Sequence, residues 1–111
     1  MANTYFQCKQ FRIEQANCAQ KVSEVACIQG AWTTLPPNTK HVLDIGFGTG
    51  LLTLMLAQRY SINIDAVELE PLCFEQGKIN IQASNFASSI SCYQNDIRTF
   101  APNEKYDFII C

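Results

Sequence analysis

The spacing of apolar and polar positions changes near residue 40. Before that point the pattern is mixed. Aromatic and charged residues alternate loosely through the stretch YFQCKQFRI, from Tyr5 to Ile13, which predicts a strand or an extended arm. From Glu14 to Trp32, the residues Ala16, Ala19, Val22, Ala26 and Gln29 recur at spacings of three and four. This narrow apolar stripe predicts a helix, with Gly30 as its end signal. The segment LPPNTK, Leu35 to Lys40, reads as a turn that divides an N-terminal arm (1–40) from the rest (41–111).

After residue 40 the pattern becomes strand, helix, strand, helix. HVLDIG predicts a short buried strand and GLLTLMLAQRY an apolar helix ending near Tyr60. INIDAVEL predicts a second strand, after which Pro71 opens a helix running to about Ala83, with proline suited to the first turn. ISCYQND predicts a third strand, Arg98 to Lys105 a short excursion, and YDFIIC a fourth strand reached at the last residue. Strands alternating with helices imply a parallel sheet with helical crossovers, an open, doubly wound α/β fold. A central strand without its next crossover would present an unpaired edge. The expectation is therefore the front part of a larger domain, with self-association through that edge.

Composition narrows this picture. A chain of 111 residues has the length of one domain, and 48% hydrophobic residues is ordinary for a globular one. No apolar run approaches a membrane span, and the polar start MANTYFQCKQ is not a signal peptide, so a cytoplasmic protein without membrane contact is expected. The cysteines at 8, 18, 27, 73, 92 and 111 form no CxxC pair and His41 is the only histidine, which argues against a metal site. Six reduced, mostly buried thiols are expected instead. The net charge of −2 divides into +2 for residues 1–40 and −4 for 41–111, a mildly basic arm on an acidic body.

The chemistry concentrates in HVLDIGFGTGLL. Gly46, Gly48 and Gly50 make a turn of almost bare backbone between strand and helix, where a ligand can approach closely and meet the free N–H groups of the helix end. Dinucleotide turns follow GxGxxG, but here residue 51 is Leu. Asp44 would repel a pyrophosphate and attract an ammonium or sulfonium. S-adenosylmethionine carries both cations and no phosphate, and LDIGFGTG resembles motif I of the class I S-adenosylmethionine-dependent methyltransferases. A ligand-free turn and a dinucleotide site are the alternatives. Glu68, with Leu69 beside it, ends the second strand where a carboxylate accepts bonds from ribose hydroxyls. Glu70 is expected to cap the next helix. Asp96 and Ile97 lie just past the third strand, where the resemblance implies a contact with the adenine amino group and ring. The alternative for Asp96 is a turn-forming Asx residue.

The arm makes the resemblance narrower. KQF at Lys9–Phe11, CAQKV at Cys18–Val22 and GAW at Gly30–Trp32, together with LDIGFGTGLLTLMLAQR and IDAVELE, resemble the bacterial adenine-N6 methyltransferases of valine tRNA. The resemblance implies a Rossmann-like domain binding S-adenosyl-L-methionine through Asp44, Gly46, Gly48, Gly50, Glu68, Leu69, Asp96 and Ile97, with tRNA as partner. Lys21, Phe6 and Phe11 are secondary candidates that also read as a solvated helix residue and core. Two departures stand out. Ser23–Ala26 replaces the family's Gly-Thr-Asp-Gly, with Glu24 a substitute for the missing acid beside the apolar Val25. The Asn-Pro-Pro-aromatic motif that follows the fourth strand in the family is not reached, so no catalytic residue is assigned. That motif would hold an adenine extruded from its stack. Methylation of rRNA or of protein glutamine, and a non-catalytic remnant serving as a binding or assembly module, are the other readings.

Overall fold

The computed structural model describes residues 4–18, 21–102 and 104–111. An antiparallel pair, β1 (Tyr5–Gln7) and β2 (Arg12–Glu14), precedes α1 (Glu24–Trp32). Then come β3 (His41–Ile45), α2 (Leu51–Arg59), β4 (Asn63–Glu68), α3 (Pro71–Gln82), β5 (Ile90–Gln94) and β6 (Phe108–Ile110). The last four strands form one sheet in the order β5-β4-β3-β6, and every pair in it is parallel. Each strand and helix anticipated after residue 40 is present, and Glu70 caps α3 by accepting the Cys73 N–H at 2.7 Å.

The register explains the burial. Phe108, Val42, Ile64 and Ile90 form one row across the sheet, and Ile110, Asp44, Ala66 and Cys92 the next on the same face. Helices α2 and α3 pack against the sheet. Leu54, Leu56, Phe74 and Ile81 supply their share of the core, which the sheet completes with Val42, Ile64 and Ala66. The opposite face carries Leu43, Asp65 and Tyr93, and the excursion after β5 is fastened to it. Tyr106 Oη donates to Asp65 at 2.7 Å, and Phe100 lies against the Tyr93 ring.

The arm departs from expectation in three respects. The helix predicted over 14–32 begins only at Glu24, because Ser23 caps it by accepting the Ala26 N–H at 3.1 Å. Upstream, Gln15 Oε1 accepts the Val22 N–H and the Lys21 ammonium donates to the carbonyls of Gln15, Ala16 and Cys18. Those groups are thereby taken from a helical ladder. Ala19 of the predicted stripe lies outside the described residues. Second, Gly30 does not end the helix. A Cβ there would stand 2.3 Å from Met55 Sδ, so the glycine lets α1 approach α2. Third, the cysteines are not all reduced. Cys18 and Cys73 form a disulfide, their Cα atoms 4.6 Å apart, which spacing in sequence could not suggest across 55 residues.

Candidate functional site

The turn after β3 holds three glycines in left-handed conformations, with φ of 73° at Gly46, 54° at Gly48 and 89° at Gly50. A side chain would be strained at each. The turn is tied to β4 through its amides: Gly46 and Phe47 donate to the Val67 carbonyl at 2.7 and 3.2 Å. Gly48 donates to Glu68 Oε1 at 2.9 Å. The second oxygen of Glu68 accepts the Glu70 N–H at 3.0 Å. One carboxylate thus joins the glycine turn to the start of α3. Gly50 is the N-cap of α2 and makes no side-chain cap hydrogen bond, so no cap side chain stands over the positive end of that helix.

Gly46, Glu68, Leu69, Asp96 and Ile97 line a single cleft at the carboxyl ends of β3, β4 and β5, together with Ile45, Val67 and Asn95. Its volume of about 120 Å³ suits one heterocyclic base. Whole ligands of drug size need upward of ~300 Å³ and would extend along the turn. Two carboxylates and no basic side chain line it. Such walls favour a neutral or cationic ligand over a phosphate.

The remaining expected residues lie elsewhere. Gly48 and Gly50 stand behind the cleft: Gly48 bonds to Glu68, and Gly50 packs against Ile81 of α3. Asp44 is 1% exposed and does not line the cleft. It occupies an apolar row of the sheet and accepts a hydrogen bond at 2.5 Å from the Thr53 hydroxyl of α2. Burial pushes its carboxyl up to about 6, the Thr53 bond opposes the rise, and the nearby Glu68 charge adds to it.

Asp96 lines the cleft and is also an Asx turn. Its carboxylate accepts the Arg98 N–H at 2.9 Å and the Arg98 guanidinium from 2.5 Å. Those bonds hold it down at about 2. Of the secondary candidates, Phe11 is core, Phe6 is exposed, and Lys21 is folded onto backbone carbonyls. Within the altered string, Ser23 caps α1 and Glu24 is the acid of its first turn.

Three residues that shape the turn escaped the sequence reading: Thr53, Gly77 and Asn80. A Cβ on Gly77 would stand 2.3 Å from the Gly48 carbonyl and 2.4 Å from the Phe47 ring. Asn80 donates to the Thr49 carbonyl at 2.8 Å and to the Glu14 carbonyl at 2.9 Å, and accepts the Glu14 N–H at 2.8 Å. A glycine inside a strong helix pattern was the one available signal, since it costs helix stability without a packing reason.

A parallel sheet with a glycine turn after β3 and carboxylates at the ends of the next two strands defines a Rossmann-like methyltransferase fold. P. horikoshii TYW2, solved in complex with MeSAdo, superposes with a TM-score of 0.78 at 21% identity, over 95% of this chain and 40% of that one. A SAM-dependent methyltransferase from Thiobacillus denitrificans, in complex with S-adenosyl-L-homocysteine, gives 0.64 at 26% identity over 79% of this chain and 35% of that one. The chain belongs to the methyltransferase domain family, whose profile matches residues 42–111. It is 42% identical to a tRNA1(Val) (adenine(37)-N6)-methyltransferase of Dyadobacter fermentans over 97% of this chain and 45% of the relative. A relative of the same name from Tolumonas auensis is 46% identical over 99% of this chain and 46% of its own length. The chain thus spans about half the length of the curated relatives it matches.

Proposed function

We propose that the chain is the cofactor-holding part of an S-adenosyl-L-methionine-dependent tRNA adenine-N6 methyltransferase acting in the cytoplasm. The observation that carries the reading is the acid-lined cleft beside three left-handed glycines. Glu68 takes the ribose hydroxyls while keeping its bond to Gly48, since each carboxylate oxygen has two lone pairs. Leu69 and Ile97 flank the adenine, and Asp96 accepts from its amino group. Asp44 acts from beneath the turn, adding negative potential without touching the ligand. Bound there, S-adenosylmethionine supplies an electrophilic methyl group. The names of the relatives support tRNA adenine as acceptor over rRNA or protein glutamine. No helix among the described residues is long and apolar enough to cross a membrane.

Calorimetric titration of the chain with S-adenosylmethionine and, separately, NADH tests the reading. Binding of the first alone, weakened in Glu68→Ala, is the expected result; binding of NADH alone overturns it.

A further inference from the structure

One face of α3 carries a set of residues that the cofactor cleft does not use. Cys73, Gln76, Gly77 and Asn80 recur at spacings of three and four, so they share one side of the helix. That side meets the arm at three points. Asn80 exchanges hydrogen bonds with Glu14, Gln76 Oε1 accepts the Asn17 N–H at 3.0 Å, and Cys73 is bonded to Cys18. The same side meets the glycine turn, with Gly77 against the Gly48 carbonyl. Cys18 itself reaches the turn, its Sγ lying 3.9 Å from where a Cβ on Gly48 would stand. The disulfide is therefore the covalent member of a clasp that presses the arm onto α3 beside the turn.

We propose that Cys18 and Cys73 form a reversible redox latch that fastens the arm beside the glycine turn when oxidised and loosens it when reduced. In the reduced chain the hydrogen bonds from Gln76 and Asn80 and the buried Phe11 and Ile13 still hold the arm, and local opening around residues 17 and 18 becomes more frequent. In a reducing compartment a disulfide of this kind is regulatory rather than permanent.

The oxidant is a low-molecular-weight disulfide. Cys73 lies in the first turn of α3. It is also the less buried partner, 7% exposed against 1% for Cys18. The Cys73 thiolate attacks one sulfur of the small disulfide and expels one thiolate. Cys18, deprotonated in turn, displaces the second and closes the bond. Each protein sulfur loses one electron, and the two electrons and two protons leave as two small thiols. Reduction by a dithiol reverses the sequence.

The effect on cofactor exchange and the reducing compartment rest on the function proposed above; the crosslink and its response to glutathione do not. The test uses the whole chain equilibrated with oxidised or reduced glutathione. Acid quenching, denaturation and alkylation should label four cysteines in the oxidised sample, with Cys18 and Cys73 in one crosslinked peptide, and six in the reduced one. Hydrogen exchange at the Asn17 amide should quicken roughly tenfold on reduction, while the Leu54 amide, bonded to the Gly50 carbonyl, stays unchanged. Cys73→Ser and Cys18→Ser should exchange rapidly at Asn17 under both conditions, and Cys92→Ser should respond like the native chain.

Six alkylated cysteines after oxidation, a crosslink between Cys8 and Cys27 instead, or an Asn17 rate indifferent to redox state would each overturn the latch. Release of S-adenosylhomocysteine should slow in the oxidised chain. A chain that shows the crosslink and the exchange change but binds no S-adenosylhomocysteine keeps the latch and loses the cofactor reading.

Discussion

The Thr53 hydroxyl donates to the Asp44 carboxylate at 2.5 Å, and both residues are buried beneath the glycine turn. A carboxylate in an apolar row of a sheet is a cost that the fold carries there. Its folded pKa of about 6 lies above the ordinary 3.8, so between those values the native state holds a proton that the unfolded chain has released. The stability this group contributes is full below 3.8 and is lost as pH rises through 6. Asp44→Asn should therefore stabilise the chain at pH 7 by roughly 2–3 kcal/mol and leave it unchanged at pH 3.5. It should also weaken S-adenosylmethionine binding at least tenfold, through lost negative potential. Urea denaturation at the two pH values, with calorimetry at pH 7, checks both halves.

Thr53 keeps that acid ionised. Thr53→Val is close in shape but removes the hydroxyl that donates to Asp44, and such a bond to a charged group contributes about 2 kcal/mol. The variant should lose about that much stability at pH 7.5. It should lose less at pH 4, where Asp44 is protonated in either protein and the bond lost is one between neutral groups. Its cofactor binding should need a higher pH. Thr53→Ser, which keeps the donor, should restore the native pH profile even though a methyl group is missing from the core. Equal losses for Val and Ser would show that Thr53 only fills space.

These two residues also mark the limit of the sequence. The strands and helices after residue 40 were legible because each buried element is short, apolar and bounded by glycine or proline. The cleft was legible for a related reason: in an open parallel sheet, ligands meet the carboxyl ends of the strands, so Glu68 and Asp96 had fixed places. Asp44 was legible as an acid but not in its setting, because only register places it between Ile110 and Ala66. The arm was the least legible part. Its apolar spacing suggested one long helix, but long-range bonds from Gln76, Asn80 and Cys73 hold residues 14–18 against α3, and local pattern carries no record of them.

Gly77 sits in the middle of α3, where alanine would ordinarily favour the helix by about 1 kcal/mol. Here the added methyl would meet the Gly48 carbonyl and the Phe47 ring at under 2.5 Å, and neither neighbour is a flexible chain end. Overpacking of this kind costs about 1–3 kcal/mol. Gly77→Ala should lower the melting temperature despite the better propensity. It should also weaken S-adenosylmethionine binding, because the turn must move. A more stable variant with native affinity would show that α3 and the turn have room that the distances deny.

Asn80 is fully engaged, with both amide hydrogens and its oxygen bonded to the backbone of Glu14 and Thr49. Asn80→Leu leaves those buried groups without partners, at a cost of about 2–3 kcal/mol. Asn80→Asp restores the acceptor for the Glu14 N–H but offers two carbonyls a negative charge instead of a donor. It should be no better than Leu at neutral pH and should recover partly as the acid is protonated. Chemical denaturation of the three proteins from pH 4 to 8 reads this order directly.

The Asp96–Arg98 pair sets the titration of Asp96 at the cleft apart from that of Asp44 beneath the turn. Arg98 holds the Asp96 carboxyl at about 2, so Asp96 stays ionised throughout pH 4–8, whereas Asp44 titrates inside that range. Affinity for S-adenosylmethionine should fall as pH drops through about 6, where Asp44 takes up its proton. The Asp96–Arg98 pair is exposed, so Arg98→Ala should leave stability nearly unchanged. It also frees the Asp96 oxygens for the adenine amino group, and affinity should rise about twofold to fivefold. Asp96→Ala should lower affinity about tenfold at every pH, while the inflection near 6 survives. If that inflection disappears with Asp96 and persists in Asp44→Asn, the roles given to the two carboxylates are reversed.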